Sequence, residues 1–329
     1  MNALLNGNAT VIQHSLCDFV SSTNIETIYS NWSCKDYIPI SNYCYWTGIS
    51  CEGSSLGIEL HAKISGSIPK SLGSLIGLSY LDLSSNALTG TVPTSLGLLT
   101  NLYYLNLGLN KLSGAIPSSF GFLTNLQTLI LTNNILTSSI PTSFTYLSGS
   151  IQHLTLFYNF LSSTIPTFFG SFSEITGFQL HHNKFSKSLP SQLCSMTAIQ
   201  YISVGHNLFT STIPSCFGSL RNLEYFDLSN NKFTSTVPTT FSYLKSIIFL
   251  FLNGNKLQNS PPESLYLADS TFDCSPYCQS DANWAPNSVS IRCQNFQDVA
   301  LYSLQENFQV ISDLDSVLCS LKALSLSTL

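Results

Sequence analysis

The 329-residue chain carries 12 basic and 17 acidic side chains, a formal charge of −5, and only 9% of its residues are charged. So low a charge density, without a basic stripe to neutralise phosphates, argues against nucleic-acid binding, and 44% apolar with 12% aromatic residues argues against disorder. The mean hydropathy is +0.20, yet no run of 18 apolar residues is available to span a bilayer, so the chain reads as soluble or as a fragment of an anchored protein.

The first 55 residues are a cysteine-containing segment. Ten cysteines in the whole chain, with no C-x-x-C pair, fit an oxidising, secreted setting better than metal binding. The N-x-[ST] triplets at Asn8 and Asn31 agree with that setting. Met1 to Cys17 lacks the basic and apolar regions of a secretory leader, so a leader is expected to lie outside this sequence.

A period then takes over. Asn86, Asn110, Asn134, Asn159, Asn183, Asn207, Asn231 and Asn255 are separated by six intervals of 24 and one of 25. Pro93, Pro117, Pro141, Pro166, Pro190, Pro214, Pro238 and Pro262 lie seven residues beyond them, and Pro69 adds a copy at the front. The extra residue falls in Tyr146 to Ile151, where Ser148-Gly149-Ser150 makes a loop able to absorb it.

Each unit reads LxxLxLxxNxLxxxIPxxLGxL, as in Leu102-Tyr103-Tyr104-Leu105-Asn106-Leu107-Gly108-Leu109-Asn110. Leu105 and Leu107 have the period of two that turns both side chains of a strand inward. The Asn that follows sits at a bend, where its amide can donate to and accept from the backbone of adjoining coils. Three residues past each proline stands Leu or Phe (Leu72, Leu96, Phe120, Phe144, Phe169, Leu193, Phe217, Phe241, Leu265), a hydrophobic spine.

These residues resemble the plant-type extracellular leucine-rich repeat, over roughly Leu56 to Leu267 in nine coils. The resemblance implies an α/β solenoid: a right-handed superhelix of about nine 24-residue coils, with a concave parallel sheet and a short second strand ahead of each Ile-Pro. Stacked coils need closed ends, so disulfide-bonded caps are implied as well. The organisation is then 1–55 for the N-terminal cap, 56–267 for the repeats and 268–329 for the C-terminal cap.

Cys44-Tyr45-Trp46-Thr47-Gly48-Ile49-Ser50-Cys51 looks like the family's C-x-W-x-G-(V/I)-x-C cap, which implies a Cys44–Cys51 disulfide and leaves Cys17 with Cys34. Leu193-Cys194 and Pro214-Ser215-Cys216 match a variant in which one coil is stapled to the next, Cys194 to Cys216. Cys274, Cys278, Cys293 and Cys319 remain for the C-terminal cap, with three connectivities open. The family usually places Gly two residues before the Ile of Ile-Pro. Gly66, Gly90 and Gly114 follow that pattern; Ser138, Ser163, Lys187, Ser211 and Ser235 do not. The second strand is therefore expected to be less regular, most of all at Lys187, whose charge cannot be buried unpaired.

No G-x-S-x-G elbow, H-E-x-x-H helix, P-loop or dinucleotide fingerprint is found, and the chain is read as non-enzymatic, with no cofactor and no metal. His182 and His206 hold equivalent positions on adjacent coils, about 5 Å apart by strand spacing. Two imidazoles at that distance could share a metal or respond to acid pH, but the frame adds no carboxylate to complete a ligand set. They are read as contact residues on a binding face.

The outward positions of the first strand carry Tyr80, Tyr104, Thr128, His153, Gly177, Tyr201, Tyr225 and Phe249. Aromatic side chains with a polar handle are what interface hot spots use, although Tyr and Phe are also good strand formers. The candidate ligand face is Tyr80, Tyr103, Tyr104, His153, Phe157, Tyr158, His181, His182, Tyr201, His206, Tyr225, Asp227, Phe249 and Phe251.

On the second strand, positions three and five past each Asn should face outward as Thr89/Thr91, Ser113/Ala115, Thr137/Ser139, Ser162/Thr164, Ser186/Ser188, Thr210/Thr212 and Thr234/Thr236. The bland explanation is a Ser/Thr-rich composition at solvent positions. The alternative is ice binding, because residues two apart lie about 6.6 Å from each other and neighbouring coils about 4.8 Å. Such T-x-T grids resemble those of solenoid antifreeze proteins, one of which, from carrot, itself looks like a polygalacturonase inhibitor. Thr89, Thr91, Thr137, Ser139, Ser162, Thr164, Thr210, Thr212, Thr234 and Thr236 would carry it.

The leading expectation is a secreted or cell-surface recognition glycoprotein, resembling receptor-like protein ectodomains and polygalacturonase inhibitors of plant signalling and defence. It would bind a protein, peptide or glycan ligand on the concave face, and no nucleic acid. Any signalling would require a membrane-anchored partner or a membrane segment outside this sequence.

Overall fold

The strand that each repeat begins with joins one long sheet. The computed structural model describes residues 9–29, 31, 34, 44–52, 55–61, 63–258 and the strand Ser290–Ile291. Strands Ile49–Glu52 and Ser55–Glu59 pair antiparallel, and Leu78–Asp82 joins them in parallel. Tyr104–Asn106, Thr128–Ile130, His153–Thr155, Gly177–Gln179, Tyr201–Ser203, Tyr225–Asp227 and Phe249–Phe251 follow in chain order, each in register one repeat later. Ser290–Ile291 closes this 11-stranded sheet antiparallel.

The inward period of two does what it predicts, since Leu105 and Leu107, like their equivalents in every described coil, are fully buried. The Asn ladder then ties coil to coil. In the Asn134 coil, Nδ2 donates to the Leu107 carbonyl of the preceding coil at 2.9 Å and to its own Leu131 and Thr132 carbonyls at 3.3 and 3.1 Å. Its Oδ1 accepts from the Leu112 N–H of the preceding coil at 2.9 Å. Asn110, Asn159, Asn183, Asn207, Asn231 and Asn255 repeat the pattern, so each amide satisfies backbone groups that no strand reaches. Past each proline runs a single 3-10 turn such as Thr167–Ser171, and the Leu/Phe spine from Leu72 to Phe241 is buried inside it.

The second strands make two smaller sheets: Ser65–Ser67 with Ala87–Thr89, and Ser113–Ala115, Ile135–Ser138, Phe160–Ser163, Lys184–Lys187 and Leu208–Phe209. The position that was glycine in the first coils keeps one backbone conformation throughout. Its φ is +79° at Gly90 and Gly114, and +72°, +81°, +69°, +71° and +70° at Ser138, Ser163, Lys187, Ser211 and Ser235. Side chains in that region cost on the order of 1 kcal/mol each, and buried neighbours such as Phe185 and Leu189 hold the chain there. The expectation of greatest irregularity at Lys187 is therefore corrected: the strand runs through it, and its side chain is exposed, so the charge needs no partner. Regularity is lost later, where the strand shrinks to Leu208–Phe209 and then disappears in the Asn231 coil. Gly66 is a different case, because a Cβ there would collide with the Ser22 carbonyl.

That contact belongs to the N-terminal cap. Helix Ala9–Ser22 lays Ile12, Leu16, Phe19 and Val20 on the first coil, and Asn24 Oδ1 accepts from the Ser65 N–H at 2.6 Å. Disulfides join Cys17 to Cys34 and Cys44 to Cys51, and Trp46 is buried beside them. Cys194–Cys216 joins the turns Ser191–Ser195 and Ser215–Ser219 of adjacent coils. Asn31 is exposed, donating to the Tyr45 carbonyl at 2.9 Å, whereas Asn8, Pro262, Leu265 and the four C-terminal cysteines lie outside the described residues. Among the described residues no helix is long and apolar enough to cross a membrane.

Candidate functional site

Parallel strands in register place like positions one above another along the solenoid axis, so outward rings on adjacent coils meet face to face. Three groups result. Tyr80 stacks on Tyr104 with centroids 4.5 Å apart, and Tyr103, 44% exposed, stands 6.2 Å from Tyr80. In the middle, Phe157 stacks on His181 at 4.2 Å, while Tyr158, His182 and His206 form a second ladder at 4.1 and 4.0 Å. That ladder ends on Asn230, whose Nδ2 donates to His206 Nε2 at 2.9 Å. The third group stacks Tyr201 on Tyr225 at 4.0 Å, with Phe251 and Phe249 tilted 5.4 and 6.0 Å away. His153 stands apart from the three, leaning over Gly177.

The stacking bears on the two histidines. Ring lone pairs lie in the ring plane, and the His182 and His206 planes are 13° from parallel. They cannot converge on one ion at the roughly 2.0–2.1 Å that zinc requires. Among the described residues no group of three His, Cys, Asp or Glu is placed to hold a metal.

Between the ring groups runs a floor four positions before each Asn: Asp82, Asn106, Ile130, Thr155, Gln179, Ser203, Asp227 and Phe251. Asp227 does not project into water as its frame position predicts; it is 8% exposed and lies across Gly205, where a Cβ would strike the carboxylate. Ser203 Oγ donates to Oδ2 at 2.9 Å, and the Ser229 N–H and Oγ donate to Oδ1 at 2.9 and 2.7 Å. Asp82, 5% exposed, repeats this arrangement: the Ser84 N–H donates to Oδ1 at 2.9 Å and Asn106 Nδ2 to Oδ2 at 3.0 Å. His61 Nδ1 donates to the Ser84 carbonyl at 3.0 Å and stands 3.8 Å from Asp82, and His61 Nε2 lies 3.4 Å from Glu59. Sequence reasoning missed Asp82, Glu59 and His61. The signal was available, since Asp82 occupies the same frame position as Asp227.

Burial, with the charges of Asp82 and Glu59 adding, pushes the Tyr80 phenol up to about 12. Burial likewise raises Tyr201, with Asp227 contributing in the same direction. A raised folded-state value means that Tyr80 contributes stability that is complete below pH 10 and lost as pH climbs from 10 through 12. Subtracting the alkaline absorbance titration of Tyr80→Phe from that of the native protein is expected to leave a step centred at about pH 12. A step at the ordinary phenol value near 10 would contradict the packing of this group.

The hydroxyl rows on the second strand face outward, with Thr89, Thr91, Thr137, Ser139, Thr210, Thr212, Thr234 and Thr236 exposed and Ser162 and Thr164 half-buried. The lattice, however, is sheared. Successive second strands pair two residues out of step, so that Ser113 lies beside Ile135, Thr137 beside Phe160, Ser162 beside Lys184 and Ser186 beside Leu208. Ile135, Phe160 and Leu208 are over 40% exposed, and Lys184 sits 4.8 Å over the Phe160 ring. Exposed apolar and cationic side chains thus stand beside hydroxyls of the preceding coil in these four strand pairs, whereas Thr91 lies beside Ser113.

A family model described as Leucine rich repeat matches residues 76–136 and 198–257. The chain resembles the ectodomain of the Arabidopsis thaliana membrane receptor kinase GASSHO1/SCHENGEN3, solved with CASPARIAN STRIP INTEGRITY FACTOR 2, at 33% identity and a TM-score of 0.68; the match covers 71% of this chain and 28% of that one. It resembles the Arabidopsis receptor kinase HAESA, solved with the peptide hormone IDA and the co-receptor SERK1, at 27% identity and a TM-score of 0.62, covering 78% and 47%. A plant ice-binding protein shares the fold alone, at 22% identity and a TM-score of 0.54, covering 78% and 89%. No curated protein matches the chain in sequence. These matches show a leucine-rich repeat solenoid like those of plant extracellular receptor ectodomains, and the chain spans 28% to 47% of the length of those two ectodomains.

Proposed function

We propose that this is a non-enzymatic recognition protein, secreted or held on the outer side of the plasma membrane, whose concave face binds an extended peptide. The observation that carries the reading is the direction of the rings. In the pairs Tyr80/Tyr104, Tyr201/Tyr225, Phe157/His181 and Tyr158/His182 the faces are turned toward each other, within 15° of parallel. A glycan packs its ring on an aromatic face; these pairs offer the groove their edges and polar atoms, which suit amide carbonyls and side chains of a peptide. The peptide hormone bound by the HAESA ectodomain supports the same class of ligand. Signalling would then pass through a membrane-anchored partner or segment.

Peptides selected from a random displayed library on the immobilised protein test this. Tyr225→Ala is expected to weaken their binding by about 1–3 kcal/mol while leaving the melting temperature nearly unchanged. Equal losses of affinity and stability would mark Tyr225 as a packing residue, and a library yielding no binders would sink the peptide reading.

A further inference from the structure

We infer that the concave face carries two matched cation sockets, at Asp82 and Asp227, and selects an extended peptide bearing two Lys or Arg side chains about nine residues apart. The inference rests on the proposal that this face binds a peptide.

The two carboxylates are the same constellation built twice. Each stands four residues before its Asn, follows a tyrosine by two residues (Tyr80, Tyr225), and that tyrosine is stacked on the tyrosine of an adjoining coil (Tyr104, Tyr201). Each accepts from the N–H two residues ahead and from a polar side chain on a neighbouring strand, Asn106 in one case and Ser203 in the other. The turn itself does not need a charge. Asn106 occupies the same frame position and accepts the Gly108 N–H through Oδ1 at 3.0 Å, as a neutral side chain. The turn therefore does not require a charge at Asp82 or Asp227, although both are more than nine-tenths buried and the second oxygen of each accepts from a neighbouring strand.

Burying a carboxylate is costly unless an opposite charge meets it. Among the described residues neither has a Lys or Arg within 4.0 Å, and His61 is the one basic group near Asp82. The lysines gather elsewhere: Lys111, Lys184, Lys187, Lys232 and Lys256 all lie on the second-strand side of their coils, while Glu59 and Glu224 join the two aspartates on the concave side. A ligand ammonium or guanidinium would meet a carboxylate at the edge of a stacked tyrosine pair.

The spacing follows from the register. Asp82, Asn106, Ile130, Thr155, Gln179, Ser203 and Asp227 are successive partners across parallel strands. Six strand steps of about 4.8 Å make roughly 29 Å, which an extended chain covers in about nine residues at about 3.3 Å each. The floor between the sockets is uncharged, so the middle of the ligand is expected to be uncharged too.

Fluorescein-labelled peptides of Ser, Thr and Leu with two Arg at positions i and i+k, k running from 4 to 12, would be titrated by anisotropy. Binding is expected to peak at k of 8 or 9 and to fall about tenfold at either extreme, and by a similar factor when one Arg becomes citrulline. Asp227→Asn should cost the same factor with unchanged melting temperature, because the Ser203 hydroxyl at Oδ2 can turn to accept from the new amide. Binding that ignores k, or survives citrulline, overturns the sockets and leaves the peptide reading standing. Absence of binding at every k also overturns them, and the peptide reading is then decided by the library selection above. Should an Asn variant fail to fold, the spacing and citrulline arms on the native protein still decide.

Discussion

Asn134→Ala is expected to lower the free energy of unfolding by roughly 3 kcal/mol or more, read as a shift of the urea midpoint followed by circular dichroism. The amide is 6% exposed and serves two coils at once. Its removal orphans the buried Leu112 N–H, at about 1–3 kcal/mol, and takes one of two donors from the Leu107 carbonyl, which keeps the Asn110 amide at 3.2 Å, at about 1 kcal/mol more. Asn101→Ala is the matched control. That amide donates to the Ile76 carbonyl of the preceding coil at 2.8 Å, but from an exposed position where water replaces it. A midpoint for Asn134→Ala as close to native as that of Asn101→Ala would show that the ladder is decorative.

A second large effect is expected in the spine. Phe169 is fully buried against the rings of Phe168, Phe172 and Phe178, at 4.7, 4.9 and 4.9 Å. Phe169→Ala removes most of a ring from a site whose neighbours are fixed by the coils on both sides, so a loss of about 3–5 kcal/mol is expected. Phe169→Leu should cost under about 1.5 kcal/mol, because Leu72, Leu96 and Leu193 fill the same position elsewhere in the stack. If the Leu variant were as damaged as the Ala variant, the spine would depend on aromatic contacts and not on filled volume.

Much of this is legible in the sequence. The beat of Asn and Pro announces the coil, because one residue type recurring at 24 can satisfy the same backbone groups in every turn. The Cys-Trp-Gly signature at Cys44 to Cys51 marks where the stack begins. Other features lie beyond a reading of one residue at a time. Whether the rings of Tyr201 and Tyr225 offer faces or edges to the groove depends on how two coils approach each other. The two-residue offset between successive second strands, which sets Thr137 beside Phe160, is a property of the pairing. The irregularity expected at Lys187 rests on a charge that cannot be buried unpaired, whereas the strand pairing leaves that side chain exposed and buried neighbours hold its left-handed backbone.

The tie between Cys194 and Cys216 has a consequence for how the molecule comes apart. A stack in which each coil touches only its neighbours frays from an end, the boundary between ordered and melted chain retreating one coil at a time. Joining the turns Ser191–Ser195 and Ser215–Ser219 makes those two coils a single unit that must open together. Fraying that starts at the C-terminal side meets a step twice as large there. The strands of these two coils, Gly177–Gln179 and Tyr201–Ser203, are kept on the ordered side of that step, whereas Tyr225 belongs to the next coil and frays before the step is reached.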